Sequence, residues 1–345
     1  MLSEERTQNS AANEHLWSDP ELANRYKFAE GLTGEYAHDV LTQMDLQSYT
    51  SPIQFLDLAC GTGVVTIQAI KILRNSQPDR PWTQDKFTGA DLSLEMLKVF
   101  LSRAVAEKWP ISEEAKNLEI AVVNMSDNKL PSNAYTHLGC TFGPANAPDP
   151  DQTLRECFRV LKPGGAVGFA SWQVTGWWAD MARAIDDIRN GAAQNCSEGK
   201  GTAENGKLSK LPRLGAFPDM LNKFADVDLE KLRAEGTPGE QMPRWDREDW
   251  FKSRLEKAGF VNVKINVVQK KIDIDKKAAS EMMKPMIGII KTFWSEQLRA
   301  EIEGADLHGA LDGWFERRFQ EPDAKGGRIV WDQWRAMVIS GRKPE

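Results

Sequence analysis

The run Leu56-Asp57-Leu58-Ala59-Cys60-Gly61-Thr62-Gly63 constrains this chain more than any other part of it. It closes the short, β-prone apolar stretch Ile53 to Ala59. It also opens Val64 to Arg74, where Val64, Ile67, Ile70 and Leu73 recur at helical spacing. A strand that turns on glycine into a helix is the first unit of an α/β sheet. Glycine lets the backbone turn sharply and approach a ligand that a side chain would exclude. Two familiar ligands fit poorly. The dinucleotide fingerprint needs a third glycine where this chain has Thr66, and the phosphate loop needs Gly-Lys-Ser/Thr where it has Gly63-Val64-Val65. An acid at Asp57 sits badly beside a pyrophosphate and well beside a ligand bearing an ammonium group. These features favour S-adenosylmethionine over a phosphorylated nucleotide.

Strand-like and helical stretches then alternate. Lys86 to Ala90 reads as a strand, Leu94 to Ala106 as a helix and Leu118 to Val123 as a strand. Thr136 to Thr141 is a weaker strand, Asp151 to Leu161 a helix, and Ala166 to Trp172 an apolar strand after the turn Lys162-Pro163-Gly164-Gly165. This rhythm predicts a parallel sheet covered on both faces by helices, with ligands beyond the carboxyl ends of its strands. After Trp172 it stops. Thr175 to Asn190 reads as an amphipathic helix and Cys196 to Gly215 as a loop. Asp246 is placed to cap a helix ending at Gly259, and Val261 to Ile274 alternates like a strand. Lys276 to Arg318 is mainly helical and Trp334 to Ser340 is a last strand.

Asp91 closes the second strand, where a carboxylate can accept from both ribose hydroxyls; a helix cap is the plainer role for an Asp before Leu92. Asn124 and Met125 close the third strand. An Asn there can accept from an exocyclic amine and a Met can lie flat against adenine, although a loop Asn is more often a turn residue. Arg159 to Gly165 reads as structural.

In their order and spacing, LDLACGTG, the GADLS element, the NM step and RVLKPGG resemble the class I S-adenosylmethionine-dependent methyltransferases. The likeness is to the ubiquinone- and menaquinone-biosynthesis-like branch, in particular the fungal small-molecule methyltransferases of secondary metabolism. It covers residues 50 to 172 well and continues more loosely through WFKSRLEKAGFVNVKI and AMVISGRKP. The resemblance implies an α/β, Rossmann-like, seven-stranded sheet with helical N-terminal and C-terminal cap insertions. Residues 1–50 would form the N-terminal helical cap and 51–172 the cofactor-binding core. Residues 173–247 would be an insertion forming part of the acceptor site, and 248–345 the last strands, with a helical insertion at about 275–325. The resemblance also implies roles for single residues. Asp57, Ala59, Cys60, Gly61 and Gly63 would hold the methionine part of the cofactor. Asp91 would hold ribose, Leu92, Asn124 and Met125 would meet adenine, and Thr141 and Phe142 would face the sulfonium. Tyr26, in ANRY, resembles a residue that contacts the cofactor carboxylate in relatives. There are departures as well. Many relatives have Asp in place of Asn124, and the usual His after the fourth strand is missing from Gly143-Pro144-Ala145-Asn146-Ala147.

Composition sets the remaining expectations. A net charge of −6 gives no positive field to hold nucleic acid. Four cysteines without a CxxC pair suggest neither zinc nor a disulfide framework. Met1 to Glu14 is polar and acidic, unlike a signal peptide, and no apolar run has membrane-spanning length, so the expected location is cytoplasmic. Twelve tryptophans against four tyrosines leave room for an aromatic acceptor pocket. Phe142, Trp172, Trp177 and Trp178 are its candidates, with Met286 among the methionines at helical spacing. None of the four histidines sits at the expected mouth of the sheet, so no catalytic base and no metal ligand is assigned. The expectation is methyl transfer to a small, largely apolar acceptor, preferably O-methylation of a hydroxylated aromatic, by alignment of the reacting groups. N-, S- or C-methylation, a cofactor-binding regulator and a cyclase on the same fold remain as alternatives, in a monomer or homodimer.

Overall fold

In the computed structural model the apolar stretch before the glycine turn forms strand β1 (Gln54–Leu58) in the middle of a seven-stranded sheet of order β3-β2-β1-β4-β5-β7-β6. The structure describes residues 30–144, 147, 149–177, 245–291 and 306–345, together with Pro20, Ala23, Tyr26, Asp180, Arg183 and Gly304. The other strands are β2 (Lys86–Asp91), β3 (Leu118–Val122), β4 (Tyr135–Thr141), β5 (Leu161–Val174), β6 (Val261–Asp275) and β7 (Arg328–Arg342). β1 pairs in parallel with β2 and β4, β2 with β3, and β4 with β5. Phe55, Leu56 and Leu58 of β1 are buried, as a central strand covered on both faces requires.

The helices are α1 (Glu30–Gln43), α2 (Val64–Ser76), α3 (Leu94–Ala106), α4 (Pro150–Val160), α5 (Glu248–Lys257), α6 (Lys276–Lys291) and α7 (Leu307–Arg318). α3 starts at Ser93, whose hydroxyl accepts from Met96 N, and α4 starts at Asp149, which accepts from Gln152 N. α1 lies on β5, since a Cβ at Gly168 would strike Val40 and Met44. The expected Rossmann-like sheet is therefore present.

Two local expectations are corrected. Lys162 to Gly165 is not a turn between helix and strand, because β5 already begins at Leu161. Gly164, at φ 74°, donates to Lys343 O, and Lys343 N donates back to Gly165 O. The end of β7 thus runs antiparallel to the start of β5 and recruits this segment into the ladder. Asp246 does not cap α5 either. Arg247 holds the N-cap position with no side-chain cap, while Gly259 ends the helix at φ 102°.

The chain divides into two compact units, one of Met1–Trp172, Pro243–Val268 and Ala336–Glu345, the other of Gln173–Met242 and Gln269–Arg335. The first contains β1 to β4 and α1 to α5. In the second, the Asp180 carboxylate is buried and accepts from Trp314 Nε1 at 3.2 Å and Trp331 Nε1 at 2.7 Å, with Arg318 Nε 3.6 Å away. Among the described residues, no helix is long and apolar enough to cross a membrane.

Candidate functional site

The carboxyl ends of β1, β2, β4 and β5 lie along one edge of the sheet, as their parallel registers require. The turn after β1 is left-handed at three points: Ala59 (φ 54°), Gly61 (φ 51°) and Gly63 (φ 94°). The two glycines serve different ends. A Cβ on Gly63 would sit 2.5 Å from Phe100 Cδ2 and 3.1 Å from Trp109, so Gly63 is small in order to pack against α3. At Gly61 the nearest atom to such a Cβ is Tyr26 Cε1, at 4.0 Å, so this glycine keeps a cradle open. The turn is tied down by Cys60 N donating to Ala90 O and Gly63 N donating to Cys60 O; the Cys60 thiol is buried beneath it.

Two carboxyls flank the turn. Asp57 is 0% exposed. Its Oδ2 accepts from Thr66 N at 3.0 Å and Thr66 Oγ1 at 2.8 Å, satisfying an amide in the first turn of α2 that Gly63, as N-cap, has no side chain to reach. Oδ1 has no partner. Burial pushes the Asp57 carboxyl up to about 8, against the pull of the Thr66 hydrogen bonds and with a smaller upward push from Asp91. Asp57 is therefore mostly neutral at pH 7 and sealed under the turn. The acid expected beside an ammonium group is thus a buried one. Asp91 Oδ2 accepts from Gly61 N at 2.8 Å and Oδ1 from Ser93 N at 2.9 Å. Burial raises its carboxyl above the ordinary value, and the bonds from Ser93, Gly61 and Leu92 oppose the rise. Because Ser93 caps α3, the plain cap role considered for Asp91 is already filled.

Tyr26 lies beside Gly61, and burial, with the charges of Glu30 and Asp91, pushes its phenol up to about 12. Glu30, at the start of α1, accepts from the Thr62 hydroxyl and from Arg103 Nη1 at 2.6 and 2.7 Å. The same Arg103 nitrogen donates to Thr62 O at 3.1 Å.

Beyond β4 and β5 an aromatic group assembles. Thr141 is buried at the end of β4. Phe142 follows at φ 59°, a conformation that is costly for a bulky side chain and held here by Phe142 N donating to Ala170 O. Its ring stacks on Trp172 at 3.9 Å and 16°, and Tyr36 meets both rings edge-on at 5.9 and 5.3 Å. Gly143 closes the loop: a Cβ there would fall 2.6 Å from Ala59 Cβ, so the β1 and β4 loops touch because this residue is glycine.

Leu92 is exposed, an apolar side chain beside Asp91. Met125 packs at the edge of the core near Gly143. Asn124 Oδ1 accepts from Ser126 N at 2.9 Å, which makes it the turn residue that was its plainer reading. Trp177 is buried in the second unit. Trp178 and the side chain of Met286, on α6, lie outside the described residues. His137 is buried, packs edge-on against Tyr49 at 4.6 Å, and is pushed down to about 3 by burial with help from Arg342 and Arg80. It is a neutral structural residue, as expected.

Residues 22–172 match the ubiE/COQ5 methyltransferase family. Methyltransferase tpcH of Aspergillus fumigatus is 28% identical over 96% of this chain and 99% of its own length. Acetylaranotin bis-thiomethyltransferase of Aspergillus terreus is 27% identical over 96% and 97%. Demethylmenaquinone methyltransferase of Shouchella clausii is 33% identical over 37% of this chain and 48% of its own. The chain is an S-adenosylmethionine-dependent methyltransferase. The residues present in this methyltransferase fit that cosubstrate: an open cradle at Gly61, an acid and an exposed apolar side chain at the end of β2, and a buried acid under the turn. Sequence reasoning missed Tyr36, Glu30, Arg103 and Gly143. Gly143 alone carried a local signal, since it opens the Gly/Pro/Asn stretch after β4. The other three act through partners remote in sequence.

Proposed function

We propose that this methyltransferase acts on a small, largely apolar acceptor with a planar aromatic part, received against Phe142 and Trp172, which the buried Tyr36 backs edge-on. The supporting observation is Phe142. An aromatic residue kept in a left-handed conformation and stacked on Trp172 stores strain at the carboxyl end of the sheet, where ligands of such folds bind. Apolar rings desolvate a ring-shaped acceptor at little conformational cost.

When bound, S-adenosylmethionine supplies the methyl group and a good leaving group. The chain's own residues align and exclude water. Gly61 and Tyr26 would take the methionine part, Asp91 the ribose, and Leu92 and Met125 the adenine. Thr141 and Phe142 would stand at the reacting end. Asp57, which has no exposed surface, would act from beneath the turn rather than by contact, giving up its proton as a cationic ligand arrives. Holding nucleophile and methyl carbon in line can supply roughly 7–11 kcal/mol in well-oriented reactions, so positioning can carry the rate without an assigned base.

The preferred reaction is O-methylation of a hydroxylated aromatic. S-methylation is the second reading, favoured by the similarity to a bis-thiomethyltransferase along almost the whole chain. Incubation with methyl-labelled S-adenosylmethionine and a matched set of phenols, thiols and amines tests both. Label is expected on the aromatic phenols; label on thiols alone selects the second reading. Binding of the cosubstrate without transfer to any acceptor would leave a regulator or a cyclase.

A further inference from the structure

The glycine turn is fixed from two sides by charged groups that lie outside its sequence. On one side Asp91 accepts from Gly61 N. On the other, Arg103 on α3 donates to Thr62 O and grips Glu30, which in turn accepts from the Thr62 hydroxyl. The carbonyl and the hydroxyl of Thr62 are thus held by a single ion pair. The pair also joins the start of α1, with Tyr26 at Gly61 just before it, to α3. The side chains of Arg103 and Glu30 are 21% and 11% exposed, enough burial to resist screening by salt. Arg103 makes a further bond to Glu107, which splints its guanidinium along α3. Three residues of the turn are left-handed, one of them the non-glycine Ala59, so its shape depends on such external ties.

We infer that Glu30 and Arg103 are positioning residues for the methionine part of the cosubstrate: their ion pair sets the Gly61–Thr62 segment and seats Tyr26 over it. This rests on the proposal that the Gly61 cradle receives that part. It predicts selectivity between ligands. S-adenosylhomocysteine carries the amino-acid portion, whereas 5′-methylthioadenosine keeps the ribose and adenine that Asp91, Leu92 and Met125 would meet and lacks that portion.

The test is calorimetric titration of the full chain with both compounds. In Arg103→Met, affinity for S-adenosylhomocysteine is expected to fall about tenfold or more, in keeping with the loss of a partly buried charged partner, while affinity for 5′-methylthioadenosine stays within about twofold. Arg103→Lys should recover part of the loss. The double variant Glu30→Gln/Arg103→Met should be no worse than Arg103→Met alone, because the two residues act as one unit. If Arg103→Met fails to fold, Glu30→Gln carries the same expectation. Unchanged binding of S-adenosylhomocysteine, or equal weakening of both compounds, overturns the inference, the second result because it means general loosening. If the unaltered chain binds both compounds equally well, the proposal for the cradle itself fails first.

Discussion

The two ends of the parallel strands treat buried charge in opposite ways. At the amino ends, Asp85 Oδ1 accepts from Ile53 N at 2.9 Å and from Arg80 Nη2 at 2.7 Å, and Oδ2 accepts from Arg80 Nε at 2.7 Å. Arg80 fills its remaining valences with Tyr49 O, Ser51 O and Gln77 Oε1. Nothing is left over in this pair. At the carboxyl ends, Asp57 and Asp91 are held by amides and a hydroxyl rather than by a cation, Asp57 keeps one oxygen without a partner, and burial raises both carboxyls. Left-handed Ala59 and Phe142 stand beside them. One end is finished internally and serves stability. The other holds strain and polar capacity that a ligand can use.

The largest expected effect belongs to the amino end. Arg80→Met strands Asp85 without its cation and should cost about 3–5 kcal/mol of unfolding free energy, as breaking one side of a buried pair does. Urea denaturation measures it. Cosubstrate affinity of the folded protein should remain within about twofold; a large loss of affinity would mean that the two ends are not separate in purpose. Next is Gly63→Ala, which forces a side chain into Phe100 at positive φ and should destabilise by about 2–4 kcal/mol by the same assay. It sharpens the contrast, because it is a glycine of the turn that works by packing.

Asp91→Ala should weaken S-adenosylhomocysteine binding by roughly 1.5–3 kcal/mol for each hydrogen bond lost to the charged group, with a smaller change in stability. Unchanged affinity in calorimetry would remove Asp91 from the site. The remaining predictions concern protons rather than single contacts. The Asp57 carboxyl rises on folding from 3.8 to about 8, so the folded state holds the proton more tightly. The stability it contributes is complete below the unfolded value and is lost as pH climbs toward 8. Asp57→Asn should flatten that slope in urea midpoints followed across pH 4 to 8. A cationic ligand near Asp57 should also release a proton at pH 7, read from binding heats in two buffers of different ionisation enthalpy; no difference would place the cation elsewhere. His137 runs the other way. Its value falls from 6.5 to about 3, so its contribution is lost as pH drops from 6.5 through 3, and His137→Gln should flatten that acid limb.

Much of this was legible in the chain. α3 forms over Leu94–Ala106 as its spacing predicts, and Asp91 and Gly61 meet, as two loops at neighbouring parallel strand ends can. Lys162 to Gly165 misled because Pro and Gly signal a turn locally, while β7, far along the chain, pairs with that segment. The depth of Asp57 was not legible, because an acid beside glycines carries no local mark of burial, and Thr66 draws it under the helix start.

The sequence by itself determined most of the element types, the position of the glycine corner and the family to which such a corner belongs. Those follow from local periodicity and from what glycine alone permits. Only the tertiary structure decided which glycine packs and which stays open, which acid is sealed, and that Glu30 and Arg103 meet at Thr62. Burial and partnership arise between segments remote in sequence, and no local pattern encodes them.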